Sequence, residues 1–179
     1  VRNEDIGPCP LKWQDPHISL ERLCQYKTAR QCLSNALRTQ GIQIEDWSTL
    51  RQIDYAELEH FPHIQATLAH TRKYWGLAWA CERPLPIGID LERIDRTVKE
   101  KAQKYFLQNG EKEAFPTHRQ LIEYWSIKEA CFKAASPHLK KENLLLKNLR
   151  LTPGQEFFYQ KQRIGYWKQI RQSFLNETF

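Results

Sequence analysis

Hydrophobic residues recur at helical spacing in segment 19–40, the first part of the chain with a regular pattern. Those closest to intervals of three and four are Leu20, Leu23, Leu33 and Leu37. This spacing places apolar side chains on one face of a helix, and Gly41 follows where a helix would end. We therefore predict a helix over 19–40, with basic residues among its polar positions.

Two strand-like segments and a third apolar run come next. Segments 63–71 (HIQATLAHT) and 73–82 (KYWGLAWACE) are rich in residues that favour strands, and they are close enough in sequence to form a hairpin. The prolines of RPLP then lead into IGIDLE at 87–92, where every second residue is a large apolar one. We interpret IGIDLE as a β-strand.

The second half of the chain combines helical and strand-like patterns. Segment 95–107 has helical spacing up to the break at Asn109–Gly110, and 117–135 has the most regular helical pattern in the chain. Three short strand-like segments follow at 144–151, 155–160 and 165–171. This order predicts an α+β fold with antiparallel sheets packed with helices, built as two similar halves that meet near residue 85.

Composition indicates a soluble protein. Of the 179 residues, 41% are hydrophobic, which is enough for a core, but no apolar run approaches the roughly 20 residues that span a bilayer. The first residues contain no signal-peptide core. The five cysteines are scattered without a CxxC pair, which favours reduced thiols over a disulfide framework or a zinc site. We therefore expect a cytoplasmic protein that does not bind membranes.

The basic excess of the chain indicates a preference for acidic partners. The formal net charge is +6, and the whole basic excess lies after residue 85. An acidic macromolecule or a phosphate-rich ligand would suit this half, although a solvated basic face would carry the same charge. One alternative function is a module that binds single-stranded nucleic acid, with aromatic residues interleaved among Lys and Arg in 159–171. That alternative leaves the acidic residues described next without a purpose.

Acidic side chains interrupt two of the apolar patterns. In a strand, Asp90 and Glu92 would share one face, with backbones roughly 6 to 7 Å apart, and would repel unless water or a cation lay between them. On the 117–135 helix, Glu129 falls within an apolar stripe. The other members of that stripe are Leu121, Trp125 and Phe132. A solvated edge strand and an exposed Glu129–Lys133 pair would explain each feature separately. Taken together, the three carboxylates have the composition of the oxygen ligands of a Mg²⁺ ion that holds phosphates, and lysines lie nearby in the sequence.

At these residues the chain resembles the 4′-phosphopantetheinyl transferase superfamily. Its two signatures are similar to IGIDLE at 87–92 and to WSIKEACFK at 125–133, in the same order and at a similar separation. Ala69-His70-Thr71 is similar to a third feature, a strand that ends in His-Ser before the first signature. Segment 104–115 (KYFLQNGEKEAF) resembles the aromatic and acidic segment between the signatures.

The resemblance implies an enzyme, a holo-[acyl-carrier-protein] synthase. Such an enzyme transfers the 4′-phosphopantetheine group of coenzyme A to a serine of an apo acyl or peptidyl carrier protein and releases adenosine 3′,5′-bisphosphate. Because a helix and a hairpin precede the first signature, the chain looks like the single-chain, pseudo-twofold surfactin-synthetase-activating type, a monomer. Residues 1–85 would then form the half that binds the coenzyme A nucleotide, and 86–179 the half with the metal site and the carrier-protein side. An inactive relative that only binds coenzyme A is a further alternative.

The resemblance also implies roles for individual residues. Asp90, Glu92 and Glu129 would hold Mg²⁺, and Glu129 would accept the serine proton. Lys133 would offset charge on the leaving phosphate. The remaining coenzyme A contacts implied are Lys128 to phosphate, His70 and Thr71 at the 3′-phosphate, and Lys27 and Arg30 at the nucleotide end. The protein is expected to bind coenzyme A and the carrier, and no nucleic acid.

Overall fold

The computed structural model describes most of the predicted elements and the loops that join several of them. The described residues are 20–43, 55–56, 64–70, 76–82, 87–108, 111, 114–115, 117–136, 145–159, 161–170, 173–174 and 177–178, and in 20–28, 55–56, 76–82, 173–174 and 177–178 only the backbone is described. The chain divides into two compact units, residues 1–89 and 90–179. The roles expected of the two halves stay predictions.

The first unit contains one long helix and a three-stranded antiparallel sheet. Its elements are α1 (Leu20–Arg38), β1 (Tyr55–Ala56), β2 (Ile64–His70) and β3 (Gly76–Glu82). The strand order is β1-β2-β3, and β2 pairs with β3 from Ile64 opposite Glu82 to His70 opposite Gly76. The predicted helix over 19–40 and the predicted hairpin are both confirmed.

The helix α1 ends where Gly41 allows the backbone to reverse. Gly41 has a φ of +74°, in the left-handed region that favours glycine. The amide of Gly41 donates to Arg38 O at 3.0 Å, and the amide of Ile42 donates to Leu37 O at 3.0 Å. This pair of bonds is a Schellman motif, which satisfies carbonyls that the end of a helix leaves without partners.

Strand β2 lies at the centre of the first unit and is buried on both faces. Its apolar residues Ile64, Ala66 and Leu68 belong to one buried cluster with the α1 residues Ala29, Leu33 and Leu37. Its alternate residues Gln65 and Thr67 are also buried, although they are polar. Burial of an amide or hydroxyl is costly unless it is hydrogen-bonded, and both side chains bond to the segment that follows β3.

That segment is IGIDLE, and the prediction that it forms a β-strand is wrong. Residues 87–93 have no regular secondary structure. The Gln65 side chain donates to Ile87 O at 3.3 Å, and Ile89 N donates to Thr67 Oγ1 at 3.2 Å. Side chains of β2 therefore bond backbone groups that a strand would pair with a neighbouring strand.

The second unit also contains a long helix and a three-stranded antiparallel sheet, with a small hairpin at its end. Its elements are α2 (Glu100–Gln103), α3 (His118–Ala135), a 3₁₀ turn (Leu146–Asn148), β4 (Leu149–Leu151), β5 (Glu156–Tyr159), β6 (Gln162–Tyr166), β7 (Ser173–Phe174) and β8 (Glu177–Thr178). The sheet has the order β4-β5-β6. Mixed helix and antiparallel sheet confirms the α+β prediction, and the pseudo-twofold relation between the halves stays a prediction.

The helix α3 is the main support of the second unit, and it confirms the prediction over 117–135. It begins with a capping box, in which Thr117 and Gln120 bond each other's backbone amides. Near its end, Cys131, Ala134 and Ala135 are buried in one cluster with the sheet residues Leu149, Phe157 and Tyr159. Near its start, Leu121 and Ile122 are buried with Val98, Phe106 and Leu107. One helix thus joins two apolar clusters.

Three further predictions overestimate regular structure. The strand predicted over 144–151 is reduced to β4, because a 3₁₀ turn occupies 146–148. The helix predicted over 95–107 is reduced to α2, after which turns such as Phe106 N to Gln103 O at 3.1 Å replace it. Phe106 and Leu107 are both buried, whereas adjacent side chains on a helix point about 100° apart. The strand predicted over 165–171 ends at Tyr166, and residues 167–170 have no regular structure.

Candidate active site

An ion pair joins the two sequence motifs within the second unit. Lys133 Nζ on α3 donates to Asp90 Oδ1 at 3.0 Å, across 43 residues of sequence. The two side chains are only 9% and 11% exposed, so this pair is largely shielded from water. Partial burial strengthens the attraction between opposite charges relative to a surface pair. Asp90 and Lys133, which the sequence predicts at one site, therefore lie in contact.

Glu92 adds a second carboxylate beside this pair. Its side chain is 13% exposed and forms an ion pair with Arg96. Burial raises the pKa of Glu92, and the neighbouring charge of Asp90 raises it further, whereas Arg96 and Lys133 oppose the shift. We call these four residues, Asp90, Glu92, Arg96 and Lys133, the charged cluster. It contains two acids and two bases, each acid with one cation in contact.

Asp90 has an oxygen that can accept a further ligand. Within the residues that the structure describes, Asp90 Oδ2 is buried and has no hydrogen-bond partner. A buried carboxylate oxygen without a donor is unfavourable, so a ligand that supplies positive charge there would be stabilised. Carboxylate oxygens are the ligands that Mg²⁺ prefers, and the two acids of the charged cluster fit such an ion.

The structure does not assemble the three predicted metal ligands into a complete set. In the described ranges, no group of three or more His, Cys, Asp or Glu side chains is arranged to hold a metal ion. Glu129 is half-buried on α3, one helical turn before Lys133 and thus on the same face of the helix. Its role as third ligand and as base stays a prediction.

Lys128 lies in a buried network rather than at an open surface. Its side chain is fully buried, and its Nζ donates to Phe106 O at 2.6 Å and to Glu111 Oε2 at 3.3 Å. Tyr124 donates to the other oxygen of Glu111 at 2.6 Å. Burial lowers the pKa of Lys128, although Glu111 acts in the opposite direction. The predicted contact of Lys128 with phosphate stays a prediction, and in this structure its ammonium group is bound by protein oxygens.

The same buried region affects two other ionisable groups. Burial raises the pKa of Cys131 to about 12. Burial raises the pKa of Tyr124 as well, and its hydrogen bond to Glu111 adds to that shift. Both side chains are therefore neutral at physiological pH, so Cys131 is a packing residue and Tyr124 a hydrogen-bond donor.

The predicted nucleotide contacts lie in the first unit. Arg30 is buried on α1, and His70 is the last residue of β2, where it is half-buried. Lys27 lies on α1, but its side chain is outside the described residues, as is the whole of Thr71. The contacts predicted for these four residues therefore stay predictions.

Comparison with protein families identifies the region that contains the charged cluster. The model of the 4′-phosphopantetheinyl transferase superfamily matches residues 86–176, just over half of the 179 residues. The chain belongs to the 4′-phosphopantetheinyl transferase superfamily. The membership predicted from the two motifs is thereby confirmed. No curated protein and no solved structure matches the chain.

Membership in the superfamily supports a transferase and, in general, the transfer of phosphopantetheine. The matched region includes the charged cluster, Lys128 and Glu129, but not the four residues of the first unit. Of the helices in the part of the chain that the structure describes, none is long and apolar enough to cross a membrane. Sequence reasoning missed Arg96 and Glu111, although both are charged residues close to the motifs. Arg96 lies four residues after Glu92, and Glu111 lies within the segment already noted for its acidic character.

Proposed function

We propose that this protein transfers the 4′-phosphopantetheine group of coenzyme A to a serine of an apo acyl or peptidyl carrier protein. The contact between Asp90 and Lys133 carries the proposal, because it joins the two motifs inside the region that matches the superfamily. We further propose a cytoplasmic monomer of the single-chain, surfactin-synthetase-activating type. Residues 1–85 would bind the nucleotide, and residues 86–179 would bind the metal and the carrier protein.

The chemistry is an attack by the serine hydroxyl on one phosphorus of the pyrophosphate, which displaces the nucleotide. The serine oxygen forms a bond to the phosphorus that carries the pantetheine arm, the bond from that phosphorus to the bridging oxygen breaks, and adenosine 3′,5′-bisphosphate leaves. In such reactions catalysis is mostly positioning and charge stabilisation. A bound Mg²⁺ would supply positive charge at the pyrophosphate.

Each proposed residue has a role in this displacement, and Glu129 has two. Asp90 and Glu92, together with Glu129, would hold the Mg²⁺ ion. Glu129 would also accept the proton of the serine hydroxyl. Lys133 would stabilise the negative charge that develops on the leaving bisphosphate. The coenzyme A contacts that complete the proposal are Lys128 to phosphate, His70 and Thr71 to the 3′-phosphate, and Lys27 and Arg30 to the nucleotide.

A transfer assay tests the proposal directly. Incubation with coenzyme A, Mg²⁺ and a panel of apo carrier proteins should add about 340 Da, the mass of the phosphopantetheine group, to at least one carrier, as measured by mass spectrometry. Asp90→Asn should reduce the rate by at least about a hundredfold, since even the outer partners of metal ligands are commonly worth 10 to 100-fold.

Asp95→Asn is the matched control, because Asp95 lies in the same segment but is mostly exposed and pairs with Arg93. Its rate should stay within about twofold of the original, as for a surface ion pair. If no carrier gains mass although coenzyme A binds, the protein is the inactive coenzyme A-binding relative instead. Equal rates for Asp90→Asn and the original protein would place the reaction elsewhere.

A further inference from the structure

Arg96 is the cation of the charged cluster to which the motifs assign no role. It pairs with Glu92, whose carboxylate is mostly buried, yet half of the Arg96 side chain, 51%, remains exposed. The guanidinium group thus contacts a proposed metal ligand on one side and solvent on the other. A planar guanidinium presents several donors in a fixed fork, which suits carboxylates and phosphates equally well.

Two aromatic rings packed edge to face support Arg96 at this position. Its guanidinium carbon lies 5.6 Å from the centre of the Trp125 ring, within the range of a cation–π interaction. The Trp125 ring packs edge-on against Phe106, with ring centres 4.6 Å apart, and Phe106 is fully buried. Trp125 is therefore a fixed platform, and Arg96 can lose Glu92 as a partner while it keeps the ring.

We propose that Arg96 exchanges partners when the site is loaded: it pairs with Glu92 in the metal-free protein and binds a phosphate of coenzyme A once Mg²⁺ occupies Glu92. The inference rests on the proposed function, because it takes the cation and the phosphate ligand from it. A guanidinium and a Mg²⁺ ion on the same carboxylate repel each other, so the two cations compete for Glu92. The released guanidinium would lie beside the bound ion, where the phosphate charge is concentrated.

A neighbouring arginine provides a matched comparison. Arg93 lies in the same turn and is similarly exposed, but its guanidinium forms two hydrogen bonds with Asp95, at 2.9 and 2.7 Å. Asp95 is 67% exposed and is not a member of the charged cluster. Arg93→Gln and Arg96→Gln therefore remove the same charge from the same turn, and only the second removes the partner of Glu92.

The first measurement is Mg²⁺ binding alone, by isothermal titration calorimetry on the 179-residue chain. Arg96→Gln should bind Mg²⁺ roughly two- to tenfold more tightly than the original protein, because the loss of a competing ion pair frees Glu92. Arg93→Gln should change the affinity by less than about twofold. Unchanged or weaker Mg²⁺ binding by Arg96→Gln would overturn the exchange.

The second measurement is coenzyme A binding at saturating Mg²⁺. Arg96→Gln should bind coenzyme A about tenfold more weakly, since it lacks a charge-assisted bond to phosphate, and Arg93→Gln should not. A variant that had merely lost its structure would lose affinity for both ligands, so opposite changes in the two affinities identify the exchange. Unchanged affinity for coenzyme A would overturn the phosphate contact.

Mg²⁺ binding by the original protein and by Asp90→Asn distinguishes a failure of this inference from a failure of the proposed function. If it binds Mg²⁺ and Asp90→Asn does not, the proposed metal site stands, and the Arg96 results decide the exchange alone. If the original protein binds no Mg²⁺, both the proposed metal site and the exchange are wrong.

Discussion

Lys128 shows how one buried charge can fix the helix that carries the candidate catalytic residues. Its ammonium group has no exposed surface and is held by the carbonyl of Phe106 and the carboxylate of Glu111. Removal of a charge from water costs several kcal/mol, which such contacts must offset. These contacts attach α3 to the segment before it, and Glu129 and Lys133 lie on the same helix. The Lys128–Glu111 pair thus affects the position of the site through α3.

We predict that Lys128→Met lowers the free energy of unfolding by about 3 to 5 kcal/mol, because it leaves the partly buried Glu111 without its cation. Glu111→Gln should also destabilise the protein. The double variant should lose less than the sum of the two single losses, since neither charge then remains without its partner. Urea unfolding of the four proteins measures these differences.

The control for that cycle is a pair that is exposed on both sides. Arg93 and Asp95 are 40% and 67% exposed, so Arg93→Met should change the stability by no more than about 0.5 kcal/mol. Strictly additive effects of Lys128→Met and Glu111→Gln would contradict the coupling of the two residues.

At the scale of elements, the β5–β6 hairpin depends on one glycine. Gly165 lies opposite Phe157 across the two strands, and a Cβ at Gly165 would come within 2.8 Å of the Phe157 ring. Phe157 is buried, so its ring has little room to move. Gly165→Ala should therefore destabilise the second unit by about 1 to 3 kcal/mol, the usual range for overpacking.

Gly154→Ala is the matched control, since the nearest atom to a Cβ at Gly154 is Thr152 Oγ1 at an ordinary 3.8 Å. Its free energy of unfolding in urea should differ from that of the original protein by less than about 0.5 kcal/mol. Similar losses of stability for the two variants would mean that the loss of glycine flexibility, and not a clash with the Phe157 ring, destabilises Gly165→Ala.

The elements that the sequence predicts correctly are those whose pattern is local. α1 and α3 have sustained helical spacing with clear ends at Gly41 and Thr117, and the β2–β3 hairpin has two short segments close in sequence. The strand prediction for IGIDLE is wrong because its bonding partners are two side chains of β2, more than twenty residues earlier. No pattern within 87–92 reports such a partner.

In the candidate site as well, the sequence predicts local features and misses those that depend on distant partners. Glu129 in an apolar stripe and two acids in one motif are local exceptions that the sequence shows, and the structure brings one of these acids, Asp90, into contact with Lys133. The buried Lys128–Glu111 pair was not visible, because burial of a lysine depends on packing between segments that are distant in sequence. Local sequence thus predicts which residues are unusual, and packing determines which of them meet.

At the scale of the whole molecule, the net charge of +6 should affect how a carrier protein is recruited. Carrier proteins are expected to be acidic, and opposite charges accelerate encounter in a manner that salt screens. If the proposed function is correct, an increase from 50 to 300 mM NaCl should lower kcat/KM for the carrier several-fold and leave kcat nearly constant, as measured with saturating coenzyme A.

A carrier variant with fewer acidic surface residues serves as the control and should show a weaker dependence on salt. If both carriers respond equally, the salt acts on coenzyme A binding or on the enzyme itself, and long-range attraction of the carrier is not the cause.

The charged cluster also bears on how the protein reaches its native state. Asp90 and Glu92 have counter-ions that the chain itself supplies, Lys133 and Arg96. In small zinc domains the metal is needed for folding, because the free energy of metal binding supplies much of the free energy of folding. Here a newly synthesised chain can balance the two acids internally. If the proposed metal site is correct, folding does not require Mg²⁺, and the supply of Mg²⁺ would chiefly set how much of the protein is active.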